Sequence, residues 1–164
     1  MQAIVRTITE SDVQGYHRCL DTVARERRFL AFREAPPLES SFAFVRSQTE
    51  RSAPMFVAAH ADDIIGWCDI SPMSPPSLAH RGELGMGVHP DFRGQGIGRR
   101  LLQTTIAAAR AFGLERVELA VLTNNVSAVA LYRSAGFEVE GTIRRAQKLD
   151  DGYADDYIMA LLLQ

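Results

Sequence analysis

From residue 3 to residue 9 the chain reads AIVRTIT, with apolar and polar positions alternating as on a strand covered on one face. The polar cluster TESD that follows supplies cap residues and predicts a helix over 12–28. Pro36 and Pro37 close that region, and a second helix is predicted over 39–51. MFVAAH (55–60) and IIGWCDI (64–70) read as short strands joined in a hairpin across Asp62 and Asp63. SPMSPPSLAHRG (71–82) reads as a loop, and ELGMGV (83–88) as the next strand. A glycine-rich segment then opens a helix running to about Phe112, with an apolar stripe of Ile97, Leu101, Leu102, Thr105, Ile106, Ala109 and Phe112. Arg99, Arg100, Gln103 and Arg110 face outward on it. RVELAVLT (116–123) is a buried strand, and NNVSAVALYRSAG a short helix with an asparagine cap and a terminal glycine, Gly136. FEVEGTIRRAQKL and YADDYIMALLL close the chain as strands joined by a tight turn at Asp151 and Gly152.

The order β α α β β β α β α β β predicts an α/β protein with a mixed central sheet of about seven strands and about four helices packed on both faces. At 164 residues the chain has the length of one domain, 1–164, able to bury roughly two thirds of its unfolded surface. A formal net charge of -2 argues against general affinity for nucleic acid. No apolar run approaches the ~20 residues that cross a bilayer, and the N-terminus lacks a basic segment followed by an apolar one, so the protein reads as cytoplasmic with no membrane partner. Cys19 and Cys68 lie in apolar surroundings without CxxC spacing and read as core residues, so neither a disulfide nor a metal site is expected.

Glycines 85 and 87 forfeit packing inside a strand, and mark a bulge or the close approach of another backbone or a ligand. Just beyond, HPDFRGQGIGRR (89–100) places glycines at the start of a helix, where backbone N–H groups lack intrahelical partners and the dipole favours negative charge. A diphosphate fits there provided no Cβ intrudes. The alternative is a tight turn that binds nothing; the pattern is neither GxxxxGK[ST] nor GxGxxG.

GVHPDFRGQGIGRRLL, followed about thirty residues later by NNVSAVALYRSAGFEVEG, resembles the GCN5-related N-acetyltransferase (GNAT) family. The signature is Arg93-x-x-Gly96-x-Gly98 after the central strand, then the helix holding Asn125, Ala128, Leu131, Tyr132, Gly136 and Phe137. The resemblance implies the GNAT fold and acetyl-CoA as acetyl donor. It places the pyrophosphate on the main chain of Arg93, Gly94, Gln95, Gly96, Ile97, Gly98 and Arg99, and the pantetheine on Met86, Gly87 and Val88. It also implies that the strands 83–88 and 116–123 diverge around the acetyl group, with Asn125 and Ala128 among the cofactor-binding positions and Tyr132 near the sulfur. Asn125 and Tyr132 are two helical turns apart, on one side of their helix. Asn125 also reads as a simple N-cap, and Tyr132 as a core aromatic.

Acetyl transfer to an amine needs a base, a polarised carbonyl and a proton for the leaving thiolate. Glu83 stands where some family members hold the general base; near an apolar cleft its carboxylate would suit the task, while a solvated strand end is the alternative. The backbone N–H of Val88 is expected to polarise the acetyl oxygen and Tyr132 to protonate the thiolate. Cys68 has no evident histidine partner, which favours direct attack in a ternary complex. Weaker candidates are Asp69, His80, His89, the run RERRFLAFRE (25–34), and Asp155 and Asp156, one of which must face away. The expected partner is a small-molecule amine, with a homodimer compatible and no metal. Protein N-termini as acceptors, or CoA sensing without turnover, are the alternatives.

Overall fold

The computed structural model describes residues 2–164. In chain order the elements are β1 (Ile4–Thr7), α1 (Val13–Arg25), α2 (Leu38–Glu50), β2 (Met55–His60), β3 (Asp63–Pro72), β4 (Arg81–Val88), α3 (Ile97–Phe112), β5 (Arg116–Leu122), α4 (Val126–Ser134), β6 (Glu138–Leu149) and β7 (Gly152–Leu162). The strands form one mixed sheet in the order β1-β2-β3-β4-β5-β7-β6. The seven strands and four helices expected from the sequence are thus present.

Each helix sits where its apolar stripe can be buried. Val13, Tyr16, Leu20 and Val23 of α1 recur at helical spacing and pack with Val45 of α2 against Met55, Val57 and Trp67 on one face. On the other, Leu101, Leu102, Ile106 and Ala109 of α3 meet Leu119, Tyr132, Phe137 and Met159. The α3 stripe agrees with the sequence reading except at Phe112, which is 39% exposed. The start of α1 is secured by Asp12, whose carboxylate accepts from the Thr9 backbone N–H and hydroxyl and from both terminal nitrogens of Arg6, at 2.7 to 2.9 Å. These bonds hold the Asp12 carboxyl at about 2, below its ordinary value.

Four predicted boundaries shift. The first helix ends at Arg25 rather than residue 28, because Arg27 turns to a φ of 55° and the chain leaves the helix axis there. The predicted loop over 71–82 is shorter: β3 runs to Pro72 and β4 starts at Arg81, with Gly82 opposite Pro72. Gly82 looks like a loop residue yet is required within the strand, since a Cβ there would lie 2.5 Å from Ile70 Cγ2 and 2.8 Å from Leu114 Cδ1. Both hairpin turns fall one residue early, at Ala61-Asp62 and Asp150-Asp151.

β4 and β5 are the only parallel neighbours among the described strands, joined by the α3 crossover. Their ladder spans only Arg81–Glu83 against Arg116–Glu118, after which the strands part. The paired end is bolted by ion pairs: Arg81 to Glu118 at 2.7 Å, Arg116 to Glu118 at 2.7 Å, and Arg116 to Glu140 of β6 at 2.6 Å. Of the readings offered for the β4 glycines, a bulge is ruled out: the register with β3 is unbroken from Gly66↔Val88 to Pro72↔Gly82. Of the two glycines, only Gly87 is required by a neighbouring side chain. A Cβ at Gly87 would collide with the Trp67 indole, whereas one at Gly85 would lie 3.5 Å from Asp69 Oδ2, an ordinary contact. Gly87→Ala is therefore expected to destabilise the protein by about 1–3 kcal/mol through overpacking, and Gly85→Ala by less than about 1 kcal/mol, as chemical denaturation of the two variants will show.

Candidate active site

Where β4 and β5 separate, backbone groups that would have paired across the sheet are left facing a gap. The His89 N–H donates to the Ile65 carbonyl at 2.8 Å, so Gly66 and Val88 form a non-hydrogen-bonded antiparallel pair. By the two-residue alternation, Met86 and Val88 both turn their N–H and C=O away from β3, toward the side from which β5 has departed. The Val88 carbonyl is taken by Arg93 Nε at 2.9 Å. The N–H groups of Met86 and Val88 then form a strand edge open to an extended, amide-bearing ligand.

The gap is a cleft of about 550 Å³, within the range of small-molecule sites. Its walls are Leu84, Met86 and Val88 of β4, Leu119 to Val121 of β5, and Asn125, Ala128, Leu131 and Tyr132 at α4. One end is bordered by Arg93, Gly94 and Gly98. Gly94 and Gly96 adopt φ of 73° and 80°, the left-handed region that favours glycine, and a Cβ on either would meet nothing within 4 Å. The space is therefore open beside both residues, at the N-terminus of a 16-residue helix whose first intrahelical bond is Arg100 N–H to Gly96 C=O. An anion of diphosphate size fits that cradle. Gly98 differs: its Cβ would make ordinary contacts with Leu131, Met86 and Val88, so it faces the packing between α3, α4 and β4 rather than open space. Gln95, Gly96, Ile97 and Arg99 do not border the cleft. Ile97 points into the core, which leaves only its backbone for a ligand, and Arg99 lines a separate hollow with Leu102 and Ser134.

Tyr132 is 8% exposed and lines the cleft, and its hydroxyl has no hydrogen-bond partner among the described residues. Burial raises its pKa, so the phenol stays protonated across the working range. Asn125 fills both readings offered for it, since its side chain caps α4 by accepting from the Ala128 N–H at 3.3 Å and also borders the cleft.

The opposite end carries carboxyl groups and aromatics. Glu83, where the β4–β5 ladder ends, borders the cleft but is exposed rather than set in an apolar surround. The buried carboxyl is Asp69, pushed up to about 8 first by burial and then by the charge of Glu83. Asp156 also lines the cleft and accepts from Gln147 at 3.3 Å, while Asp155 faces away and accepts from the Arg145 N–H. His80 and His89 lie outside the cleft lining. The His89 side chain instead caps the turn that follows, accepting from the Asp91 N–H at 3.2 Å. Trp67 is a core residue in edge-on contact with Tyr16.

The basic run after α1 does more than solvate the surface. Phe29, Leu30, Ala31 and Phe32 border the cleft, and charged residues on either side of them act as ties. Arg27 pairs with Asp150 at 2.5 Å and Arg33 donates to the Lys148 carbonyl at 3.0 Å, fastening the loop to the β6–β7 hairpin. Arg93 joins the two ends of the site: it pairs with Glu26 at 2.9 and 2.6 Å and stacks 4.8 Å above the Phe29 ring. Sequence reasoning assigned only the Arg93 main chain, because a partner 67 residues away leaves no local signal.

The acetyltransferase (GNAT) family profile matches residues 18–137, and the chain belongs to that family. Among curated relatives, the L-amino acid N-acetyltransferase AaaT of Escherichia coli is 29% identical over 105 residues, 63% of this chain and 65% of the relative. The [ribosomal protein bS18]-alanine N-acetyltransferase of the same organism is 43% identical over 77 residues, 46% of this chain and 51% of the relative. The matched part thus spans about half to two thirds of these relatives' length. Among solved structures, a GNAT-family acetyltransferase from Streptococcus pneumoniae superposes with a TM-score of 0.92 at 26% identity, covering 99% of this chain and 100% of that one. The fold is also that of yncA from Salmonella typhimurium, solved with acetyl-CoA, with a TM-score of 0.93 at 19% identity covering 100% and 95% of the two chains.

Glu26→Gln removes the charge that anchors Arg93. Hydrogen exchange is expected to speed up over residues 26–37 while the amides of β3 and β7 keep their protection, which mass spectrometry of the variant will resolve.

Proposed function

We propose that the protein is an acetyl-CoA-dependent N-acetyltransferase that moves the acetyl group to the primary amine of a small molecule, by direct attack in a ternary complex. The observation that carries this reading is the parted β4–β5 pair. It offers a glycine cradle for a diphosphate, a free strand edge for pantetheine, an unpartnered phenol between the strands, and carboxylates at the far end. The family and the acetyl-CoA seen in yncA support the donor.

In this reading the Met86 and Val88 N–H groups hold the donor's amide-bearing arm and polarise the acetyl carbonyl. Glu83 attracts the acceptor ammonium and takes its first proton. The nitrogen lone pair attacks the carbonyl carbon, the C–N bond forms, and the C–S bond breaks as Tyr132 gives its proton to sulfur. The nitrogen's second proton makes good the one Tyr132 gave, so one proton is released overall.

The acceptor end supports a small molecule. The loop carrying Phe29 and Phe32 is tied to the β6–β7 hairpin by Arg27 and Arg33, an arrangement that favours a compact acceptor over an extended peptide. Beside it, a hollow of about 230 Å³ lined by Arg27, Arg33 and Lys148 shares Leu30, Ala31 and Gln147 with the cleft. Arg27 is neutralised by Asp150, which leaves Arg33 and Lys148 to receive an anionic group. An amine bearing apolar and carboxylate groups matches this surface, in keeping with the L-amino acid specificity named for AaaT. The similarity to the ribosomal-protein alanine acetyltransferase favours peptide N-termini as the second reading.

Release of CoA from acetyl-CoA, measured with L-phenylalanine, L-phenylalaninamide, simple alkylamines and a peptide beginning with alanine, separates these readings. Preferred turnover of the peptide establishes the second reading, and binding of acetyl-CoA without turnover of any amine refutes both. Arg33→Ala is expected to raise KM about tenfold for L-phenylalanine, equivalent to ~1.4 kcal/mol, with little change for the amide. Tyr132→Phe keeps the ring and should lower kcat by about 10²–10⁴-fold. Its acetyl-CoA affinity should change by no more than about 1 kcal/mol in calorimetric titration. Near-normal kcat with chemistry rate-limiting would return Tyr132 to a packing role.

A further inference from the structure

Asp69 is the buried acid that the scheme above leaves unused. It lies on β3 directly opposite Gly85, and Glu83 lies two residues away along β4, opposite Ser71. Strand alternation puts Asp69, Glu83 and Gly85 on one sheet face, the face covered by α1. The two carboxyl-bearing residues are diagonal neighbours, about 7–8 Å apart at the backbone and within reach of each other's side chains. The Asp69 carboxyl lies over Gly85, 3.5 Å from where a Cβ at that residue would stand, and Gly85 itself borders the cleft.

Asp69 is 7% exposed and makes no hydrogen bond to any described residue. Ser41 Oγ is the one side-chain nitrogen or oxygen sealed from solvent without a partner among the described residues, so the Asp69 oxygens still reach accessible space. The groups set against Asp69 do not neutralise it. They are the Tyr16 phenol on α1, Glu83 on β4 and the apolar Met55 directly opposite on β2, while the adjacent Cys68 thiol turns to the other face with the α3 core. No cation pairs with it. A structural carboxyl in a sheet would normally have acquired a donor; this one has a neighbouring carboxylate instead.

We propose that Asp69 and Glu83 work as one proton-accepting pair, in which Glu83 meets the acceptor amine and Asp69 is the carboxylate on which the amine's proton comes to rest. The proposal rests on the acetyl-transfer reading given above. The balance is simple: an N–H bond of the ammonium breaks, an O–H bond forms on Glu83, and that proton passes to ionised Asp69, restoring Glu83. The freed nitrogen pair then attacks the acetyl carbon. Asp69 acts through Glu83 and is a proton-holding residue. Its advantage is a matched pKa: an ordinary carboxylate near 4 is a poor resting place for a proton leaving an alkyl ammonium, whereas a carboxyl pushed up to about 8 is far closer. The relay is open only when Asp69 is ionised.

The test is the pH dependence of kcat/KM for wild type, Asp69→Asn and Glu83→Gln, at saturating acetyl-CoA, with L-phenylalanine and the less basic L-phenylalaninamide as acceptors. Wild type should rise along a limb near pH 8 that stays in place when the amine is changed. Asp69→Asn should lose that limb and fall about 10²-fold on the alkaline side, with unchanged acetyl-CoA affinity. Glu83→Gln should lose the limb as well, because the amine's proton reaches Asp69 only through Glu83, while the Asp69 titration read from the pH dependence of Tm should move to lower pH, because the like charge that helps hold Asp69 protonated is gone. An Asp69→Asn enzyme that retains the limb and the rate overturns the proposal.

Stability provides a readout independent of turnover. The folded-state pKa of Asp69 lies above its unfolded value, so its contribution is fully present below about pH 4 and is lost as pH rises toward about 8. Wild-type Tm should therefore fall relative to Asp69→Asn across that window; identical profiles would overturn the titration on which the relay depends. If no amine is turned over at all, the acetyl-transfer reading fails and the relay with it, whereas a fully active Asp69→Asn sinks the relay alone.

Discussion

The rest of the site depends on how soon β4 and β5 stop pairing. A parallel ladder three residues long is an unusual economy inside a seven-stranded sheet, and it leaves the remaining backbone of β4 with donors that the fold does not satisfy. Two opposing influences hold the strands in this state. Ion pairs among Arg81, Glu118, Arg116 and Glu140 clamp the paired end, while Leu131 and Tyr132 of α4, with Leu119 and Val121, fill the space beyond it with walls rather than a ladder. The cleft is therefore built from the sheet itself, at its middle, where both faces are covered by helices.

That placement explains why the two ends of the cleft differ in chemistry. At one end the chain leaves β4 for α3 through residues in the left-handed region, and an N-terminal helix dipole stands beside open space. At the other, the strands converge on Glu83, and the α1 face supplies Asp69 and a loop of aromatics. Arg93 spans the two with a carboxylate pair, a carbonyl and an aromatic face on one guanidinium. A lysine could not reproduce that set of contacts, because the planar fork is what lets one side chain reach Glu26 and Val88 together while lying over Phe29.

Much of this was legible in the chain. The periodicities located every helix and strand, because each buries one stripe or one face and composition follows burial. The glycine segment and the Asn125–Tyr132 helix pointed to the cleft, since both are local patterns in which backbone freedom or helical spacing carries the meaning. Errors came where the governing contact was distant. Gly82 resembles a loop residue until Ile70 and Leu114 are placed beside it, and the need for glycine at residue 87 comes from the Trp67 ring packed against it. Glu83 stood out because it holds the position of the general base in some family members, yet it is Asp69, seen only in passing, that is buried.

By itself, then, the sequence determined the elements, the α/β class, the family and the glycine turn that opens α3, because each is written in residues near one another along the chain. Only the tertiary structure decided how far β4 and β5 run together and which carboxyl group is desolvated. It alone showed that Arg93 is engaged by Glu26 and that Phe29 and Phe32 belong to the cleft. Those outcomes depend on burial and on contacts between residues far apart in the chain, and desolvation is a property of a place in the fold that no residue carries with it.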